Sequence, residues 1–579
     1  MNKQKYSDVL FFTGLYIFSF VFITIVISNI FFIVGISISI FNTISSVILS
    51  YLLLYSFEKD KKKLFLITCL SLGCIIAFML FSMLYYDNSF DGNVYHKEMV
   101  GVLKNGWNPV YKSYQEFVTV AGLTPFREGE VWYDSYGKSS EIFGACIYKI
   151  TGNIEAGKCY TFLLMVTAAL IITGLINDII KKKYILVLIP TIFLSCNVMT
   201  INQSLTYYND AFLGLVLFIS VAAMVYLTIN HTGTFSRVSW LILFMSLGLG
   251  ITIKVSGLLH FASFAVFFYV LWIVRYCKGY CREKLFHPAR LTSFFIGSVL
   301  FGLLIIGVST YVSNTIRYHN PLYPVFSITS ISNNTNDDAV SMMVSGEFEG
   351  FSHAKRFFYS LFSELFHTDV VSSVQLKIPF TVHVSELRPA MAYDIKLSGW
   401  GIWESGIVIL GLILLVIEII ILCRQKKNNV IAMVSTIFVS IILSIFVVPG
   451  LFMARYFLQV YIIPYMAIIL LLGSNINKKG IILFFWTFLS FGNILMSLGG
   501  LGYRLYQSQQ NRVILQELKG KDVKFSFYII YNSENAGAYA YGFKYTLIDA
   551  GIDCSKIYDR LDDNSNSMFW EYVQYEILD

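Results

Sequence analysis

Thirteen apolar runs, separated by short basic clusters and a few longer polar stretches, make up most of this chain. They lie near 9–28, 32–56, 64–86, 159–179, 184–201, 210–228, 238–253, 255–275, 291–313, 403–423, 430–448, 454–473 and 480–499. At roughly 17 to 25 residues each run is long enough to cross about 30 Å of hydrocarbon as an α-helix, which satisfies its own backbone polar groups in lipid. The two runs flanking Lys254 adjoin, so their division is set only to within a few residues.

Basic residues orient these spans, because short cytoplasmic loops retain Lys and Arg near span ends. Lys3 and Lys5, Lys59 with Lys61, Lys62 and Lys63, Lys181 to Lys183, Arg237, the segment from Arg275 to Arg290, Arg424 with Lys426 and Lys427, and Lys478 with Lys479 all fall on one side under this count. That side is expected to be the cytoplasm. The loops 87–158 and 314–402 and the tail after 500 are then external. The first run follows only eight residues with no small-residue cleavage site, as expected of a retained anchor rather than a removed signal peptide.

The expected fold is an all-α polytopic membrane protein of about 13 transmembrane helices with a small external α/β segment at its C-terminal end. Residues 1–63 supply N-terminal membrane helices, 64–500 a membrane core with both long loops, and 501–579 the tail. Composition agrees: 56% of residues are hydrophobic, 14% are charged and the mean hydropathy is +0.64, which excludes a soluble globular chain. The net charge of +7 is mostly the topological signal and no nucleic-acid footprint. Nine scattered cysteines form no disulfide or zinc spacing, and no Gly-rich loop precedes Lys-Ser/Thr, which argues against an ATP-driven machine.

The loops carry the candidate chemistry. In 95–104, Tyr95, Met99, Val102 and Leu103 share one helical face, which predicts a short helix lying on the membrane surface. Gly106-Trp107-Asn108-Pro109 stops it, with Trp107 as an interfacial anchor. The stretch 132–141 is aromatic and polar, a surface suited to a sugar, although each ring alone fits an interfacial belt. The second loop has a polar middle at 333–338 and a helical stretch 353–366 placed to fold over a site. In the tail, 523–531 and 570–578 read as strands and 535–551 as a helix.

Charged residues at span ends narrow the search, since an ionisable group at a membrane face is costly unless it has a task or a partner. Asp91 follows a span directly, where a substrate with its tail in lipid and its head in water would present itself; Asp87 is the alternative. Glu404 and Asp210 are further acids, and Asp210 is suited to an acceptor, to a divalent ion or to capping a helix. Arg455, at the outer end of an apolar run, has planar donors that match a phosphate bidentately, while an ion pair with Asp or Glu is the structural alternative. Lys254 is a weaker case of the same kind.

Leading spans, an acid just after a span in the first large loop, an interfacial helix with Gly-Trp-Asn-Pro, a polytopic core and a late Arg-Tyr followed by Pro resemble the GT-C superfamily of membrane glycosyltransferases. The likeness covers most of 64–500, and its motifs are short; the two extra spans before 64 depart from the family's usual arrangement. The resemblance implies a polyprenyl-phosphate-linked sugar as donor and a glycan, lipid or protein acceptor in the cell envelope. It implies Asp91, then Asp87, as catalytic base or acceptor ligand. On this reading Arg455 and Lys254 hold the donor phosphate, and His96, Trp107, Tyr136, Lys138, Glu141 and Asp210 meet acceptor or sugar. No cofactor is required beyond an optional divalent cation, and a bacterial plasma membrane is the expected location. A polysaccharide polymerase or ligase would use the same residues, and a flippase for lipid-linked sugars is the rival of another class.

Overall fold

A computed structural model describes residues 3–121, 131–280, 286–324, 350–365, 375–392, 398–448, 450, 452–476, 478–530, 537–562, 565–569 and 571–578; the polar middle 333–338 lies outside them. The helices used below are α1 (Lys3–Ile33), α2 (Ile40–Phe57), α3 (Lys61–Ser82), α4 (Lys97–Lys104), α5 (Ser139–Thr151), α6 (Tyr160–Ile180), α7 (Tyr184–Ser195) and α8 (Asp210–Ile229). They continue with α9 (Thr234–Ile253), α10 (Val255–Cys277), α11 (Pro288–Phe301), α12 (Glu404–Arg424), α13 (Asn428–Val447), α14 (Ile462–Gly473), α15 (Lys479–Leu518) and α16 (Gly542–Asp549).

Among the described residues eleven helices are long and apolar enough to cross a membrane, so the chain is a multi-pass membrane protein. The runs 184–201 and 454–473 yield shorter helices. In the first, Pro190 lies inside α7 and Asn197 accepts from the Thr200 amide at 3.1 Å, starting a separate turn Val198–Gln203. In the second, the 3-10 turns Ala454–Tyr456 and Leu458–Tyr461 use up the start of the run before α14 forms. A 12-residue helix such as α7 rises only about 18 Å, short of the hydrocarbon thickness.

The spans form two layers. The most apolar stretch of α8 is 94% buried within the protein, with α6 and α9 packed on it and α1 packed in turn on α6, whereas that of α3 is 22% buried. α2, α3 and α15 turn Phe41, Phe65 and Phe484 outward. A helix apolar on all sides belongs either in a protein interior or in lipid, and the two layers are those two cases.

The polar segments diverge more from expectation. α4 does not lie on a membrane surface: residues 97–103 are all buried, with α5 on one side and α16 of the tail on the other. An amphipathic face needs cover, and here protein supplies it. Trp107 is likewise enclosed, its indole N–H donating to the Lys112 carbonyl at 3.0 Å. The last apolar run does not end near 499; α15 continues to Leu518, 40 residues and about 60 Å, carrying the tail beyond the bundle.

That tail holds a three-stranded antiparallel sheet in the order β1–β5–β4, where β1 is Asp522–Ser526, β4 Asn566–Met568 and β5 Val573–Leu578. β2 (Tyr528–Ile530) and β3 (Gly537–Tyr539) pair separately. The expected strand 523–531 is therefore two strands, and the expected helix 535–551 begins as β3 before α16. Leu515, Val523, Phe525, Phe543 and Leu547 close the tail's own core, and Phe569 meets Tyr86 of the main body edge-on at 5.5 Å. The helix predicted over 353–366 spans His353–Leu361 and anchors through Phe357, whose ring lies 5.2 Å from Phe457.

Candidate functional site

The turn after α3 separates the two candidate acids. Asp87 Oδ1 accepts from the Ser89 amide at 2.8 Å and hydroxyl at 2.6 Å, and Oδ2 from the Tyr207 amide at 2.7 Å. Asn93 closes the turn by donating to the carbonyls of Asp87 and Ser89, both at 2.8 Å. Gly92 is required there, because a Cβ would sit 2.2 Å from Ser89 Oγ and 2.5 Å from Asp87 Oδ2. The chain then enters a π-helical turn, Gly92–His96, a wide geometry often found at functional sites. Asp91 stands at its start.

What Asp91 meets is Arg455. Nη1 of Arg455 lies 2.9 Å from Asp91 Oδ2, across 364 residues of sequence. Arg455 Nη2 donates to the Tyr456 hydroxyl at 3.0 Å, and the guanidinium carbon stands 5.1 Å from the Tyr208 ring and 4.9 Å from the Tyr456 ring. The Tyr208 hydroxyl accepts from the Asp91 amide at 3.4 Å.

A second acid–base pair adjoins the first. Lys254 occupies a one-residue extended corner between α9 and α10, which frees its side chain from both helical ladders. Its ammonium donates to Asp210 Oδ1 at 2.7 Å and lies 4.2 Å from the Tyr456 ring centroid. Asp210 opens α8, where the positive end of the helix favours a carboxylate. Tyr456 thus sits between two cations, each paired with one acid. Behind them His260 and Gln459 bond at 2.5 Å, and these two with Asp210, Ser256, Arg455 and Tyr456 line a small cavity.

Tyr136 reaches the same place because the backbone at Gly137 touches the end of α9: a Cβ there would lie 2.5 Å from the carbonyl oxygens of Thr252 and Ile253. Burial pushes the Tyr136 phenol up from its ordinary value, against the opposing charge of Lys254. His96 and Glu141 form a close buried pair, with Ser140 donating to the other Glu141 oxygen at 2.9 Å. The His96 ring lies 5.9 Å from that of Tyr136 and 6.5 Å from that of Tyr208.

Three expected site residues lie elsewhere. Asp87 belongs to a buried charge network: Glu155 accepts from the Asp87 amide at 3.1 Å, from Lys97 at 2.5 Å and from Lys158. Lys138 donates to the carbonyls of Asp134 at 2.7 Å, Tyr136 at 2.9 Å and Ser309 at 3.3 Å, so it ties backbone together; burial pushes its ammonium down to about 8. Trp107 is enclosed. Glu404 is also apart, bonded to Asn493.

Tyr208, His260 and Gln459 were not expected, and Tyr456 entered only as the second residue of the Arg-Tyr pair. His260 could have been found as an ionisable residue inside an apolar run. Tyr208 stands two residues before Asp210 in sequence, with no signal to choose it among the chain's 38 tyrosines.

Chemically, the arrangement offers carboxylates able to accept a proton and two cations able to hold an anion. Among the described residues no three His, Cys, Asp or Glu side chains converge on a metal position, and Asp91 and Asp210 each already hold a cationic group. No family model matches the chain, and neither a curated protein nor a solved structure is similar to it.

Proposed function

We propose that the protein is an integral membrane glycosyltransferase that moves a sugar from a polyprenyl-phosphate donor to a glycan, lipid or protein acceptor at the external face of a bacterial plasma membrane. The observation that supports this reading most is the convergence of Asp91 with Arg455 beside Asp210 with Lys254, four charged side chains at span ends around one tyrosine ring. Two cations suit a lipid phosphate. Two acids suit a hydroxyl nucleophile.

In the proposed step Asp91 takes the proton of the acceptor hydroxyl as its oxygen attacks the anomeric carbon. The bond from that carbon to the phosphate oxygen breaks, and the phosphate leaves with the electron pair, held by Arg455 and Lys254. A single displacement inverts the anomeric centre. The donor phosphate competes with Asp91 for Arg455, so donor binding itself releases the carboxylate for proton transfer. His96 and Glu141 hold the aromatic wall of Tyr95, Tyr136 and Tyr208 against which a sugar would lie.

The test is turnover by the purified protein in lipid nanodiscs, supplied with a polyprenyl-phosphate-linked sugar, with release of polyprenyl phosphate as the readout. Exchanging the pair, Asp91→Arg with Arg455→Asp, should keep the fold and abolish turnover. Recovery of turnover in the exchanged protein would make the pair a structural bridge only. The same assay with a polyprenyl-diphosphate donor separates a polymerase or ligase, and donor crossing the bilayer without turnover would indicate a flippase. Orientation is tested by cysteines at the exposed positions Lys112 and Gln509, which should label from outside intact cells, whereas those at Lys182 and Lys427 should not. Outside labelling at Lys182 would reverse the topology.

A further inference from the structure

We propose that the bundle holds a second site, independent of the proposed transferase centre, for a neutral lipid whose head is a free hydroxyl. Its head cavity lies among α7, α12, α14 and α15 and is lined by Glu404, Tyr461, Trp486, Ser490 and Asn493 between apolar walls.

Glu404 is 5% exposed and sits at the start of α12. One carboxylate oxygen, Oε2, accepts from Asn493 Nδ2 at 3.0 Å, and the opposite end of that amide is occupied by the Trp403 amide at 2.8 Å. The other oxygen, Oε1, has no hydrogen-bond partner among the described residues. Trp486, 8% exposed, is in the same position: its indole N–H has no partner among the described residues, while Phe193 holds the ring edge-on at 5.6 Å. No described lysine, arginine or histidine lines this cavity. A polar atom buried without a partner destabilises a fold, and here one acceptor and one donor line the same space.

The pairing selects the ligand. A hydroxyl donates its hydrogen to Glu404 and accepts the Trp486 N–H through its oxygen. A phosphate would meet the carboxyl oxygen, and a metal or ammonium cation would meet the positive end of the indole N–H. The head is therefore neutral.

A second cavity supplies the reason for a lipid. A gap among α6, α7, α8, α13 and α14 shares Leu194 and Tyr465 with the head cavity and is otherwise lined by apolar side chains such as Ile172, Phe218, Met433 and Met466. Tyr465 spends its hydroxyl on Thr191 at 3.1 Å and presents its ring. Placed together inside spans, the two cavities match an amphiphile with one free hydroxyl and an apolar chain beside it.

The hydroxyl can come from a diacylglycerol or from a long-chain alcohol. Purified protein in nanodiscs is therefore exposed to photoreactive versions of each, and to their methyl ethers, which cannot donate. The hydroxyl lipids should label the segments around Met433 and Met466, with the methyl ethers labelling about tenfold less; the stronger of the two arms identifies the chain. Trp486→Phe should lower labelling about five- to tenfold while keeping most of the ring packing, and Glu404→Leu should lower it at least as far. Should Glu404→Leu unfold, Trp486→Phe decides alone. Equal labelling by the methyl ethers, unchanged labelling of Trp486→Phe, or labelling confined to the outward faces of α2 and α3 would overturn the site.

Discussion

Asp87 has no exposed surface and commits both carboxylate oxygens to donors from its own turn and from Tyr207. Asp91, four residues on, keeps 21% of its side chain exposed and meets a guanidinium from the far end of the chain. One acid builds the turn and the other is presented by it. Residue type and neighbouring sequence are nearly the same for both; what differs is which partners the folded bundle brings. A carboxylate surrounded by fixed donors is a structural part. One paired with a cation that itself lines a cavity can exchange that cation's attention for a ligand's.

The largest expected effect tests this contrast on the catalytic side. Asp91→Asn keeps the size of the side chain and can still accept from Arg455, but it cannot take a proton, so turnover should fall by about 10² to 10⁴. Its melting temperature and donor binding should stay close to those of the parent. Full turnover with a defined donor would remove Asp91 from the chemistry.

Arg455 comes next. Arg455→Ala removes the donors that would stabilise the leaving phosphate and should cost about 10² to 10³ in turnover. Arg455→Lys retains charge without the planar fork and should lie between that and the parent. If the loss fell on stability alone, with kcat intact in the folded fraction, Arg455 would be a bridge to Asp91 and nothing more.

Much of this was legible before the structure, and the limits have physical causes. Asp91, Arg455, Lys254 and Asp210 stand out because charge is rare in apolar runs. Their meeting was not legible, since hydropathy records neither the order of helices around the bundle nor which residues sit across from each other. The apolar face of α4 looked the same whether lipid or protein covered it, and the cover proved to be protein, α5 together with α16, whose Tyr545 hydroxyl stands 3.5 Å from Glu98. Hydropathy likewise marked 184–201 and 454–473 as spans, because a window average does not register Pro190 or the capping side chain of Asn197. The tail's strands were read in roughly the right places, but breaks as short as Phe527 fall below the resolution of alternation.

Asp87→Asn should act on the fold. An amide in place of the carboxylate sets its own N–H group against the Ser89 or Tyr207 donors, leaving a buried donor unpaired at a cost of about 1 to 3 kcal/mol. Thermal unfolding in detergent or nanodiscs reads this directly, and turnover per folded molecule should be unchanged. A loss of turnover at Asp87→Asn greater than at Asp91→Asn, with stability intact, would move the base four residues upstream and reverse the contrast between the two acids.

The smallest expected effect is the sharpest on mechanism. Tyr456→Phe deletes only the hydroxyl that accepts from Arg455 at 3.0 Å and leaves the ring under Lys254 at 4.2 Å. One hydrogen bond to a charged group is worth about 1.5 to 3 kcal/mol where it is buried, and less where, as here, the guanidinium retains a second partner in Asp91. Turnover should therefore fall about three- to tenfold. How the loss divides is informative: if the hydroxyl orients Arg455 for the donor phosphate, the donor KM should rise and the acceptor KM should not. A change confined to the acceptor KM would place Tyr456 against the nucleophile's side of the site, and with it Lys254 and Asp210, leaving Arg455 as the only cation for the phosphate.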